Sequence, residues 1–294
     1  MIWLIGCKGM LGTEISRELT ENKIEFVGTD IDVDITDFQA LENFASKLKN
    51  VEYIINCSAY TAVDKAEQEN QINLVERLNV LGPLNIAECA KKIGAKMIHI
   101  STDYVFDGTA KTPYSEQTKI APLGVYGLTK AEGEKAVQDC LKEYYILRTA
   151  WLYGWAGKNF VYTMIKAMNS NDSVKVVNDQ VGTPTFAGTL AGVILKIIKN
   201  NIPYGIYHCT DLGQISWYDF AVEIKNQATK LGLITKDCTV NPCTTEEYVT
   251  PAKRPKYSVL DKTKIQKALN FSLSDWKENL NLFLTSPLFD KNRI

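Results

Sequence analysis

Through the first half of the chain, short unbroken apolar runs alternate with stretches in which apolar residues recur every three or four positions. The runs Ile2–Ile5, Glu25–Thr29, Tyr53–Asn56 and Lys96–Ser101 have strand length, whereas Met10–Glu21, Asp37–Leu48 and a long stretch ending at Lys92 have helical period. Runs such as Met97-Ile98-His99-Ile100 offer no polar face, as a strand covered by helices on both sides requires. Repeated βαβ of this kind predicts an α/β fold, a doubly wound parallel sheet. Pro83 interrupts the long helical stretch and predicts either a kink or a helix beginning afresh there. A helix over Tyr126–Leu141 and a strand over Tyr144–Arg148 close the regular half near Trp151.

The second half is less periodic, with helices predicted near Phe160–Met168, Thr185–Lys199 and Ser216–Leu231, a strand at Val174–Val177, and a proline-marked stretch from Asn241 to Arg254. At 294 residues the chain is long enough for two lobes. The natural division is 1–150 for the regular Rossmann-type unit and 151–294 for a smaller α/β lobe, with some segments of the second returning to the first sheet.

Charge and composition narrow the function classes. Lys plus Arg (33) balances Asp plus Glu (34), so no global field recruits nucleic acid or an anionic membrane. Seven cysteines without CxxC spacing point to a reducing, cytoplasmic setting. Two histidines, His99 and His208, give a histidine-based metal site almost nothing to work with, and no metal is expected. The first residues enter a strand at once, which predicts no leader. The longest apolar stretch, Phe186 to Ile198, falls short of the roughly 20 residues that span a bilayer.

Gly6-Cys7-Lys8-Gly9-Met10-Leu11-Gly12 follows the first strand and opens the first helix. In that position Gly6 allows a sharp turn, Gly9 lets backbone approach a pyrophosphate at the positive helix N-terminus, and Gly12 permits close helix–sheet packing. Asp30 ends the second strand, where a carboxylate accepts hydrogen bonds from an adenosine ribose. It favours NADH, but Lys8 lies near enough in sequence to offset repulsion of a 2′-phosphate, so NADH and NADPH both stay open. Asn56-Cys57-Ser58-Ala59-Tyr60-Thr61 places small residues at the third strand's end, where a dinucleotide would cross the sheet edge.

Tyr126-Gly127-Leu128-Thr129-Lys130 sets a phenol and an ammonium four residues apart, on one helix face. Ser101-Thr102-Asp103 leaves the fourth strand at the same carboxyl edge. Carbonyl reduction needs a hydride donor and a proton donor. Tyr126 can give the proton if an adjacent cation lowers its pKa, Lys130 is that cation and can also bond the nicotinamide ribose, and Thr102 can hold the carbonyl oxygen.

With these residues the chain resembles the extended short-chain dehydrogenase/reductases, and among them the dTDP-4-dehydrorhamnose reductase family. The likeness runs through Thr61-Ala62-Val63-Asp64-Lys65-Ala66-Glu67, Ser101 to Phe106, Tyr126 to Lys130, Arg148 to Tyr153, Asn178 to Thr185 and Arg254-Pro255. It implies an NAD(P)-binding Rossmann fold and NAD(P)H-dependent reduction of the 4-keto group of a dTDP-deoxysugar in polysaccharide biosynthesis. It further implies cofactor at Gly9, Met10 and Leu11, at Asp30, Asp34 and Ile35, and at Ala59, Tyr60 and Thr61. Substrate is implied at Thr102, Asp103, Tyr126, Lys130 and Trp151, with Tyr126 as the acid. Trp151 then packs on the sugar's apolar face or is a core indole. Arg254 binds the diphosphate or is a loop charge. Some relatives hold Mg²⁺ at a dimer interface. Here Glu14 matches one such acid, but Phe186-Ala187-Gly188-Thr189 carries no carboxylate where another is expected. A homodimer is the protein partner the resemblance leaves open.

Three other readings share the fold. A 4,6-dehydratase would need an acid after Asp103, where this chain has Tyr104. Nothing in the residues calls for an epimerase's rotating substrate. A non-catalytic regulatory protein, such as the similar subunit of methionine adenosyltransferase, is opposed by the retention of Thr102, Tyr126, Lys130 and Trp151.

Overall fold

The computed structural model describes residues 1–294. Its centre is a six-stranded parallel sheet. In chain order the strands are β1 (Ile2–Ile5), β2 (Phe26–Thr29), β3 (Tyr53–Asn56), β4 (Lys96–Thr102), β5 (Tyr144–Thr149) and Gly205–His208. Across the sheet β2 lies at one edge, followed by β1, β3, β4, β5 and finally Gly205–His208 at the other edge. The helices of the first half are α1 (Met10–Glu21), α2 (Phe38–Ala45), α3 (Val63–Ala66), α4 (Glu69–Glu76), α5 (Gly82–Ile93) and α6 (Val125–Cys140).

Alternation along each strand builds the layers. Ile2 and Leu4 of β1, Tyr53 and Ile55 of β3, and Tyr145 and Leu147 of β5 pack against Leu11, Ile15 and Leu19 of α1 and against the helix Ala187–Asn200. Trp3, Ile5, Ile54, Met97 and Ile146 point to the opposite face, where α2, α5 and the end of α6 cover them. Both faces are therefore apolar, which is the burial that the unbroken strand sequences foreshadow. A second core, formed by the helices Phe160–Ser170, Trp217–Lys230 and Trp276–Thr285, lies in the latter half. No helix is long and apolar enough to cross a membrane.

In the long stretch before Lys92 the second expectation for Pro83 holds, a helix beginning afresh there, but what precedes it is not a single helix. The stretch is α3, α4, a π-helical turn at Arg77–Leu81 and α5, with Pro83 in the first turn of α5. Pro83 has no amide to bond the carbonyl four residues back, which belongs to Asn79 inside that π turn, so the irregularity falls upstream of the proline. The proline-marked stretch contains a strand, Thr239–Cys243, parallel to Ser173–Val177. Local pattern gave no sign of it because its burial alternates poorly and Pro242 lies within it.

Winding changes direction at β1, because β2 flanks it on one side and β3 on the other. The crevice outside the carboxyl ends of β1 and β3 is therefore a switch point, where α/β sheets take ligands. Nearby, a buried polar triad ties β4, β5 and α6 together. Arg148 donates to Glu134 through Nε (2.8 Å) and Nη2 (2.6 Å), while Ser101 Oγ donates to Glu134 Oε1 at 2.5 Å. Both charged side chains are fully enclosed, so removing one strands the other. Arg148→Met should lower stability by about 3–5 kcal/mol, read as a reduced midpoint in urea denaturation. A loss below about 1 kcal/mol, the scale of exposed pairs, contradicts this.

Candidate active site

The turn after β1 is built for close approach. Gly6 has φ +79°, and a Cβ there would lie 2.8 Å from Ser58 N. At Gly12 a Cβ would come within 2.0 Å of the Gly6 carbonyl oxygen, so α1 can reach the sheet only with glycine at that position. Gly6 and Cys7 amides both donate to Thr29 O, at 2.8 and 3.1 Å. Gly9 precedes α1, whose N-terminus carries no side-chain cap, and its first amides point out at the switch point. The Asp30 carboxylate accepts from Lys8 N and from Ile31 N, each at 3.0 Å. Asp30 thus pins the glycine-rich turn through its backbone rather than through the Lys8 side chain.

Asp34 Oδ1 accepts from the Thr36 amide and hydroxyl, while Ile35 is buried and its carbonyl accepts from Asn85. Ala59, Tyr60 and Thr61 follow β3, and Asn79 fastens them. Its Oδ1 accepts from Tyr60 N (2.8 Å) and its Nδ2 donates to Tyr60 O and to Thr129 Oγ1, both at 3.2 Å. Spacing could not single out Asn79. It acts because the π turn carries it, fully buried, between the β3 exit and α6.

Three features hold α6 in place, one against the segment leaving β4, one against the end of α3 and one against the π turn. Glu67 Oε1 accepts from Val125 N at 2.8 Å, holding the first turn of α6. A Cβ at Gly127 would lie 2.2 Å from Tyr104 O, and one at Gly133 would lie 2.1 Å from Asn79 O. With glycine at both, the Tyr126 ring packs edge-on to Tyr104, centroids 5.5 Å apart. Thr102 and Lys130 are buried, and the Tyr126 phenol sits beside the Thr102 hydroxyl. Thr102 Oγ1 donates to Asp103 Oδ1 (3.0 Å) and accepts from Tyr104 N (3.2 Å). Asp103 is itself buried, and that burial pushes its carboxyl up to about 6.

The electrostatics differ from the sequence expectation at one point. Burial pushes Tyr126 up to about 12, with a smaller downward pull from Thr102, and Lys130 plays no part in the shift. The Lys130 ammonium instead donates to Ile100 O at 2.7 Å, and burial brings it down to about 8 against a smaller opposing effect of Glu134. The phenol therefore keeps its proton, which is the form that can give one away.

Two substrate-side expectations also change. Trp151 is neither a free shelf nor a sealed core residue: it is half-buried, has φ +47°, and stacks on Trp217 with centroids 3.6 Å apart and planes at 13°. One indole face is thereby taken, and Trp217, at the start of its helix, was not visible from spacing. Arg254 is not a loose loop charge, because its two Nη atoms grip the Asp64 carboxylate at 3.0 and 2.9 Å. Glu14, the match to a metal-ligand position, is buried and paired with Arg17 at 3.2 Å. Both histidines are buried, and burial drives each below its ordinary range, His208 to about 3.

A parallel sheet wound in both directions about a glycine-rich βα turn, with a Thr/Tyr/Lys set on the same edge, defines an oxidoreductase-type Rossmann protein. The family model described as RmlD substrate binding domain matches residues 1–288. A dTDP-4-dehydrorhamnose reductase of Aggregatibacter actinomycetemcomitans is 40% identical over 285 residues, covering 94% of this chain and 96% of that protein. One from Escherichia coli K12 is 38% identical, covering 98% and 99%. Among solved structures, a dTDP-4-dehydrorhamnose reductase of Clostridium acetobutylicum superposes with TM-score 0.89 at 46% identity, over 96% of this chain and 98% of that one. The Bacillus anthracis reductase in complex with NADP gives TM-score 0.89 at 35% identity, over 96% and 97%. The chain belongs to the RmlD family, that of the dTDP-4-dehydrorhamnose reductases.

The buried amine makes a prediction of its own. Below about pH 8 Lys130 is cationic, and as pH rises through that value it loses its charge, whereas an ordinary lysine does so near 10.5. Side-chain amine NMR of the cofactor-free protein, assigned with Lys130→Arg, should show one resonance titrating near 8. All lysines titrating above 10 contradicts the burial described.

Proposed function

We propose that the chain reduces the 4-keto group of dTDP-4-dehydrorhamnose to give dTDP-L-rhamnose, with NADPH or NADH as reductant. The observation that carries the reading is the Tyr126 phenol beside the Thr102 hydroxyl, one helical turn from the buried Lys130, at the sheet edge that also carries the Gly6–Gly12 turn. The full-length likeness to reductases of that name supports the substrate. A neighbour crystallised with NADP supports the coenzyme class.

The residues present suit a dinucleotide. Gly9, Met10 and Leu11 offer uncapped helix amides to its pyrophosphate, Gly6 and Gly12 leave it room, and Asp30, Asp34, Ile35, Ala59, Tyr60 and Thr61 line the adenosine and ribose path. Residues 1–150 supply this part, and the segments around Trp151, Gly182 and Arg254 supply the sugar-nucleotide side. A nicotinamide held there would supply the hydride for the sugar's carbonyl carbon. Thr102 then holds the carbonyl oxygen through its hydroxyl, and Tyr126 transfers its phenolic proton to that oxygen as negative charge builds there. Lys130 commits one of its three donors to Ile100 O and keeps the others for the ribose. Trp217 backs the Trp151 indole, so the sugar meets only its open face.

The dehydratase reading lacks its acid: the position after Asp103 is Tyr104, whose phenol burial pushes far above neutral pH, leaving no base for a C5 proton. The test is oxidation of NADPH or NADH by the purified protein with dTDP-4-dehydrorhamnose. Tyr126→Phe should cut turnover by roughly 10²–10⁴ while leaving coenzyme affinity intact. Unchanged turnover, or a loss confined to coenzyme binding, contradicts the acid role.

A further inference from the structure

The run Thr61–Glu67 contains a carboxylate that the reduction itself does not use, Asp64 on α3. Its partner is Arg254, 190 residues away, and theirs is the single ion pair joining residues 1–150 to residues 151–294. The pairing is end-on: Nη1 donates to Oδ1 (3.0 Å) and Nη2 to Oδ2 (2.9 Å). Asp64 Oδ1 also accepts from Ala252 N at 3.3 Å, and Nη1 donates to the Thr250 hydroxyl, so the loop and the guanidinium plane are fixed together.

A guanidinium has a second bidentate edge, formed by Nε and one hydrogen of Nη2. In this structure Arg254 Nε has no protein partner and is not sealed from solvent. The edge lies near the chemistry: the Tyr104 phenol is within electrostatic reach of Arg254, and the Tyr104 ring touches Tyr126. The Arg254 guanidinium in turn holds the Asp64 carboxyl below its usual range, so the pair stays charged at neutral pH.

We infer that Asp64 is a positioning residue: by occupying the end-on edge of Arg254 it aims the free Nε/Nη2 edge at the diphosphate of the bound sugar nucleotide. The inference rests on the proposed reaction for the identity of that nucleotide. A carboxylate that fixes the plane removes the rotational freedom a lone arginine would lose on binding, and the remaining fork matches two phosphate oxygens. Tyr248 is exposed in the same loop and within electrostatic reach of Arg254.

The test compares wild type, Asp64→Asn and Asp64→Glu in steady-state reduction and in binding of thymidine diphosphate and of thymidine. Asp64→Asn should raise the KM for the keto-sugar nucleotide roughly tenfold, as loss of a charge-assisted contact does, with kcat within about twofold and NADPH affinity unchanged. Thymidine diphosphate binding should weaken in parallel while thymidine binding holds, and Asp64→Glu should recover most of the loss. An unchanged KM, or equal weakening of thymidine and its diphosphate, overturns the inference, the latter by showing a merely loosened loop. Should Asp64→Asn fail to fold, Arg254→Lys keeps the charge without the fork: the same split supports the inference, and full diphosphate affinity refutes it. If wild type leaves NADPH untouched with the keto-sugar, the proposed reaction falls, while the thymidine diphosphate comparison still judges Asp64.

Discussion

Everything at the sheet edge depends on how closely α6 can lie against the end of β4. Backbone meets backbone there: the Tyr104 carbonyl faces Gly127 and the Asn79 carbonyl faces Gly133, at separations no side chain would tolerate. Glu67 fixes the first turn of the helix, Asn79 ties its Thr129 to the β3 exit, and the enclosed Glu134–Arg148–Ser101 cluster locks its middle to β4 and β5. Only with that contact made does a hydroxyl from a strand end meet a phenol from a helix, with the buried amine one turn further along that helix and bonded back to the strand. The glycine between Tyr126 and Lys130 is as much a part of the site as the two residues it separates.

The same closeness sets the electrostatics. Burial raises the Tyr126 phenol and lowers the Lys130 amine, so the proton donor holds its proton while the cation is marginal near neutral pH. Proximity of charge alone, the reasoning available from a four-residue spacing, predicts a lowered phenol. Desolvation decides instead, because Lys130 turns back to the Ile100 carbonyl rather than toward the ring.

Features carried by local pattern were legible in the sequence. The βαβ alternation, the glycine spacing after β1, the acid ending β2 and the Tyr–Lys pair each sit within a few residues, and period or spacing exposes them. What stayed hidden is long-range: Asp64 meets Arg254, Trp151 meets Trp217 and Asn79 meets Thr129 only once the chain has folded. Periodicity carries no term for such pairs. The π turn was hidden for another reason, since Pro83 marks a missing hydrogen bond whose effect appears four residues earlier. Resemblance to a known family supplied the sugar and the nucleotide, which no spacing in the less periodic second half encodes.

Hydride transfer to the sugar carbonyl can be followed by isotope: incubate the protein with NADPH carrying deuterium at the transferable C4 position and with dTDP-4-dehydrorhamnose, then locate the deuterium in the product by NMR. Deuterium should be bonded to C4 of the deoxysugar, in amounts equal to the coenzyme oxidised. Deuterium retained on the coenzyme, or a sugar product unlabelled at C4, contradicts that transfer.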